Sequence, residues 1–182
     1  MFTDVVETFL YSEIVLRCDD SEVSATYADD PRTTVSIRRI GHRTHEKTPI
    51  GTRSAPNIEA SIDGRVIVLT PGPAKMLKRS YKVQIEFDGR ILTLAAKNLE
   101  DSMLLDGTKD NGNNSFGDLT RTHRGSVDVF WAVPFKFMKE TVLPPTPSRD
   151  DVLIGVCAAA AFGTGGLSAS TIAAGFASAI FP

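Results

Sequence analysis

Few groups of residues in this 182-residue sequence have the types and spacing for chemistry. His42, His45 and Glu46 form H-x-x-H-E, which is metal-ligand chemistry in neither zincin order. On an extended segment, residues three apart face opposite sides, and no third convincing ligand accompanies them, so they read as solvated loop residues rather than a metal site. Gly163 to Ser168, G-T-G-G-L-S, has the glycine density of a dinucleotide loop. The residues that follow are too few for the second strand and acidic ribose partner such a loop requires, so it reads as a break between two apolar helices. His123 stands alone in a turn. No P-loop, G-x-S-x-G elbow or C-x-x-C pair occurs. Cys18 and Cys157 sit in unrelated contexts and form no disulfide framework. No cofactor is indicated and nothing requires an enzyme, so a binding role is the favoured class.

The informative polar residues are basic: Arg38, Arg39, Arg43, Lys47, Lys75, Lys78, Arg79 and Lys82. They cluster around a long polar loop, residues 41 to 57, and around the run K-M-L-K-R-S-Y-K. Cations beside Met76 and Leu77 suit an anionic membrane surface, where each contributes about 1 kcal/mol and the apolar pair inserts shallowly. Nucleic acid would use the same charges but would also call for aromatic platforms, and Tyr81 alone hardly supplies one. Lipid is therefore preferred over nucleic acid as partner.

Charge is segregated along the chain although the net charge is only −2. Residues 1 to 31 hold eight acids and one base, residues 32 to 90 twelve bases and five acids, and the remainder seven bases and nine acids. Such segregation produces either a basic face or an acidic segment that neutralises a basic neighbour. Asp4 and Glu7 occupy the place of a basic leader region, so the cytoplasm is the expected compartment.

The elements that must position these residues are mostly strands. Phe2, Val5, Val6, Phe9, Leu10 and Ile14 recur at helical spacing and predict a short helix over 3–16. Beyond Asp20 the pattern alternates with period two. Asp63-Gly64 and Asp88-Gly89 then each separate two alternating runs, Ile58 to Ile62 from Arg65 to Thr70 and Tyr81 to Phe87 from Arg90 to Ala96, predicting type I′ hairpins. Asn98 with Asp101 predicts a short capped helix through Leu105. Phe116 to Thr122 and Ser126 to Val133 predict a third hairpin, and Pro134 ends its last strand. Alternation of this kind builds a sheet with one face to be covered.

The cover is the C-terminal tail. From Val152 to Pro182 there is no charged residue, and a proline-rich linker precedes it. As a membrane anchor the tail exceeds the roughly 20 residues that span a bilayer. Its Leu, Ile, Val and Phe content supplies only about −2 to −4 kcal/mol per window against opposing Gly, Ser and Thr. Small residues also suit a narrow protein interior. Core helix and anchor both remain open at this level.

The paired strands, the glycine-bearing strand F-G-D-L-T-R, the strand S-V-D-V-F-W and the run D-D-V-L-I-G-V-C-A-A-A-A-F-G together resemble the tubby C-terminal-like superfamily, which includes tubby, phospholipid scramblase and LURP-one-related proteins. The resemblance spans roughly residues 21 to 162. It implies an antiparallel barrel closed around a hydrophobic helix, and tilts the ligand toward lipid headgroups. The chain departs from that pattern in a second apolar segment, Leu167 to Phe181, beyond the helix.

The expectation is a mainly β protein, an antiparallel hairpin-rich barrel or half-barrel packed around a C-terminal apolar helix. Residues 1–140 form the β domain with its N-terminal helix, 141–151 the linker and 152–182 the apolar tail. The expected function is non-enzymatic recognition of an anionic membrane surface or lipid-like ligand. The alternative is a tail-anchored membrane protein with a cytoplasmic β interaction domain, and a weaker alternative is a lipid-handling enzyme.

Overall fold

The computed structural model describes residues 2–75, 77–137 and 140–166. The first sheet runs β1 (Phe2–Val6), β2 (Ile14–Cys18), β3 (Glu22–Tyr27), β4 (Thr34–Arg39), β5 (Ile58–Ile62) and β6 (Arg65–Val66) in spatial order. The second is likewise sequential, from β7 (Val68–Pro71) through β8 (Val83–Phe87), β9 (Arg90–Ala96), β10 (Asp101–Asp106) and β11 (Ser115–Arg121) to β12 (Val127–Trp131). Every pairing in both sheets is antiparallel. A separate hairpin, β13 (Phe135–Phe137) with β14 (Glu140–Val142), leads to helix α1 (Arg149–Phe162).

Two of these turns follow directly from their residue types. Asp63 and Gly64 adopt φ of +50° and +78°, and Asp88 and Gly89 +48° and +75°, the consecutive left-handed pair that a two-residue hairpin needs. They join β5 to β6 and β8 to β9 as expected, and β11 with β12 forms the third anticipated hairpin. The run from Arg65 to Thr70 is not one strand. Val66 ends in the first sheet and Val68 begins in the second, while the Ile67 amide bonds the Ala60 carbonyl at 2.9 Å. The hydrogen-bonded ladder divides here, so the barrel is not closed; two sheets pack with a helix instead.

Period-two alternation turns Leu16, Val23, Ala25, Val35 and Ile37 of one sheet and Val83, Ile85, Leu92, Leu94 and Leu104 of the other inward, all buried. Helix α1 touches both sheets and is buried from Asp151 through Phe162. Its start is a capping box: Ser148 N donates to Asp151 Oδ2 at 2.8 Å and Asp151 N to Ser148 Oγ at 3.2 Å. Arg90 Nη1 donates to the same carboxylate at 3.0 Å. Small residues let the helix approach closely. A Cβ on Gly155 would stand 2.6 Å from Leu104 Cδ2. Val152–Phe162 is therefore core, and none of the described helices is long and apolar enough to cross a membrane. The second apolar segment, Leu167 to Phe181, lies outside the described residues.

Two expected helices are strands. Residues 3–16 form the β1–β2 hairpin, in which Val5 pairs with Val15 and Val6 with Ile14. Thr8 organises the turn, its hydroxyl accepting from Tyr11 N at 3.1 Å and donating to Tyr11 O at 2.9 Å. Phe9 and Leu10 project from that turn into solvent, which is why apolar residues there mimic a helical repeat. At Asn98 the capping hydrogen bonds do form, from Glu100 N at 2.8 Å and Asp101 N at 2.7 Å. They serve a tight turn into strand β10, where Ser102 and Leu104 face the core.

Candidate lipid-binding face

The basic residues singled out in the sequence divide into two groups. Arg39 is inside: its side chain is 6% exposed, with Nε donating to Ile50 O at 2.9 Å and Nη2 to Asp20 Oδ2 at 2.6 Å. Arg43 meets the other oxygen of Asp20 at 2.7 Å and the Pro49 carbonyl at 3.1 Å. These two arginines, Arg43 foremost through its hydrogen bond, hold the Asp20 carboxyl below the usual carboxylate range. They fasten the 41–57 loop to the first sheet. Arg38 pairs with Glu59 across β4 and β5. Acidic and basic segments do neutralise one another here.

Lys75, Lys78, Arg79 and Lys82 are different. Among the described residues none of them forms an ion pair. They ride on a connection between β7 and β8 that contains a short 3-10 turn, Lys78–Tyr81. Local bonds fix its shape: Ser80 N reaches Leu77 O at 2.8 Å, Ala74 N reaches Ser80 O at 2.8 Å, and Gly72 N reaches Lys82 O at 2.8 Å. Gly72 is required by closeness, since a Cβ there would lie 2.4 Å from the Ser80 carbonyl oxygen. Lys47 lies nearby, lining a shallow cleft together with Lys75 and Tyr81.

Arg53 anchors this connection to the end of α1, a role the sequence did not signal. Its Nε donates to Gly72 O at 2.6 Å, Nη2 to Tyr81 O at 2.8 Å and Nη1 to Phe162 O at 3.3 Å. Its guanidinium also lies over the Phe162 ring, 5.6 Å from the centroid. Burial pushes its pKa down to about 10, so the cation persists at neutral pH. It meets the carbonyl-rich end of the helix, where positive charge is favoured. Beyond the helix, Gly166 N bonds Asn98 O at 2.8 Å, and a Cβ on Gly166 would meet the Tyr81 ring at 2.9 Å. Gly166 thus lies against Tyr81, at the end of the basic connection.

Beside Leu77, Lys78, Arg79 and Lys82 the outer face of the second sheet forms a groove of about 610 Å³. Its floor consists of the cross-strand pairs Ala95 with Met103 and Thr93 with Leu105. The far lip is Thr108 to Asp110, braced by Asn114, whose Nδ2 donates to Lys109 O at 2.9 Å and to Asp106 O at 2.6 Å. Asp110 turns its carboxylate to the Gly112 amide at 2.8 Å. The groove is thus an apolar trough with cations on both lips.

The histidines do not build a site. His45 Nδ1 lies 2.9 Å from Thr48 Oγ1, and burial first, then Arg53 and Lys47, lower its pKa. His42 and Glu46 are exposed. No group of His, Cys, Asp and Glu that could hold a metal occurs among the described residues. His123 lines a polar cleft of about 420 Å³ with Lys47 and Arg121, but Glu100 and Asp128 share it, so its charge is mixed. Burial raises the pKa of both thiols, Cys18 and Cys157. No family model matches this sequence, and neither a characterised protein nor a solved structure matches it.

Proposed function

We propose that the protein is a non-enzymatic binding module that docks on an anionic membrane surface or lipid-like ligand through the face carrying Lys75, Lys78, Arg79 and Lys82. The observation that carries this reading is the juxtaposition of cations unpaired among the described residues with exposed apolar surface on one braced connection, Leu77 being 45% exposed beside them. Cations without carboxylate partners keep their full attraction for lipid phosphates, and an adjacent apolar side chain adds shallow insertion. The tubby-like resemblance, whose family includes phosphoinositide binders, tilts the ligand toward lipid headgroups, although the closed barrel it implies is not formed here.

Co-sedimentation of the full chain with phosphatidylserine-rich vesicles tests the proposal. Binding is expected to weaken with salt and to be absent from purely phosphatidylcholine vesicles. Reversing Lys78, Arg79 and Lys82 together removes at least about 3 kcal/mol of attraction, or about 100-fold in affinity. Equal binding by the reversed protein, or binding to single-stranded oligonucleotides and not to vesicles, overturns the lipid reading.

A further inference from the structure

We infer that the groove on the outer face of the second sheet is a site for a single acyl chain carrying a phosphomonoester head, a ligand that enters it as a monomer rather than as part of a bilayer. The inference rests on the lipid reading of the neighbouring basic connection and adds the ligand class. Three features of the groove point to it.

The first is the floor. Small residues of β9, Thr93 and Ala95, stand opposite the larger Leu105 and Met103 of β10, so the floor is an uncharged, largely apolar trough along one strand pair. The second is volume, since about 610 Å³ lies within the range of small-ligand sites, roughly 300 to 1,000 Å³. The third is the distribution of charge. Lys78, Arg79 and Lys82 line one side and Lys109 the other, four cations against the one acid at the rim, Asp110, which accepts from the Gly112 amide at 2.8 Å. A carboxylate offers two oxygens and one charge to this set. A phosphomonoester offers three oxygens and nearly two charges, a closer match to several cationic donors. The walls are fixed before a ligand arrives, by Arg53 on one side and Asn114 on the other, so little ordering entropy is lost on binding.

Calorimetric titration of the full chain with dodecyl phosphate, held below its micelle concentration, is the test, with dodecanoate and inorganic phosphate as comparators. One site is expected, at least about 10-fold tighter for dodecyl phosphate than for dodecanoate and undetectable for inorganic phosphate at the same concentrations. Ala95→Trp fills the trough and should abolish the titration while the melting transition stays cooperative. Met103→Trp, on the facing strand, provides the same obstruction should the first variant fold poorly. Unaltered binding in a folded trough-filled variant, or equal affinity for dodecanoate, contradicts the assignment. A wild-type protein that sediments with phosphatidylserine vesicles yet ignores dodecyl phosphate sinks the groove site alone, whereas failure of both assays sinks the lipid reading beneath it.

Discussion

Arg53 illustrates how much one side chain does when it replaces secondary structure as the support of a loop. The connection between β7 and β8 joins no sheet ladder between Pro71 and Val83, and among the described residues its hydrogen bonds to the rest of the body run through the Arg53 guanidinium, at Gly72 and Tyr81, while the same group holds Phe162 at the end of the helix. A guanidinium with five donors in a fixed fork can bridge three carbonyls in this way, and an ammonium cannot. Arg53→Met keeps the stem and removes the donors, leaving three part-buried carbonyls without that partner. Its expected cost is about 1–3 kcal/mol in urea denaturation. Because the connection itself carries Lys75, Lys78, Arg79 and Lys82, limited trypsin digestion reports on it directly: cleavage between residues 75 and 82 should accelerate in Arg53→Met relative to wild type. A variant with unchanged stability and unchanged cleavage would show that the connection holds itself.

At the scale of elements, the helix is the member on which both sheets depend. Ala159 is fully buried between them. Ala159→Arg places a charge in an apolar interior with no carboxylate to meet it, costing several kcal/mol, comparable to the stability of a small domain. The expected outcome is loss of cooperative unfolding and of near-ultraviolet circular dichroism; retention of both would mean the sheets stand without the helix. This central helix was legible in the sequence because alternating strands need a cover and only one long uncharged segment was available. The Asp-Gly turns were legible because few residue pairs accept two consecutive left-handed conformations. The N-terminal hairpin was not, since Phe9 and Leu10 project from a Thr8-organised turn and fill helical positions by coincidence. The site was legible in part. Lys78, Arg79 and Lys82 lie close in sequence, whereas the floor formed by Ala95 and Met103 exists only through strand register. The pairing of Arg39 and Arg43 with Asp20 was hidden for the same reason, as Asp20 reaches both from another hairpin.

For the whole molecule, charge segregation resolves into two structural outcomes. One portion of the basic segment is spent internally, with Asp20 meeting Arg39 and Arg43 and Glu59 meeting Arg38. The other is gathered, unpaired among the described residues, on the connection that borders both the groove and the last described residue, Gly166. The proposed function predicts an orientation in which this face meets the membrane and the β1–β2 turn, despite Phe9 at 78% exposure, does not. Hydrogen–deuterium exchange on the full chain, with and without phosphatidylserine vesicles, tests that orientation most directly. Vesicles should slow exchange across residues 72–82 and 107–110 and leave residues 7–13 unchanged. Vesicle binding that protects residues 7–13 instead, or that leaves 72–82 exchanging as in free protein, would contradict the assignment of this face.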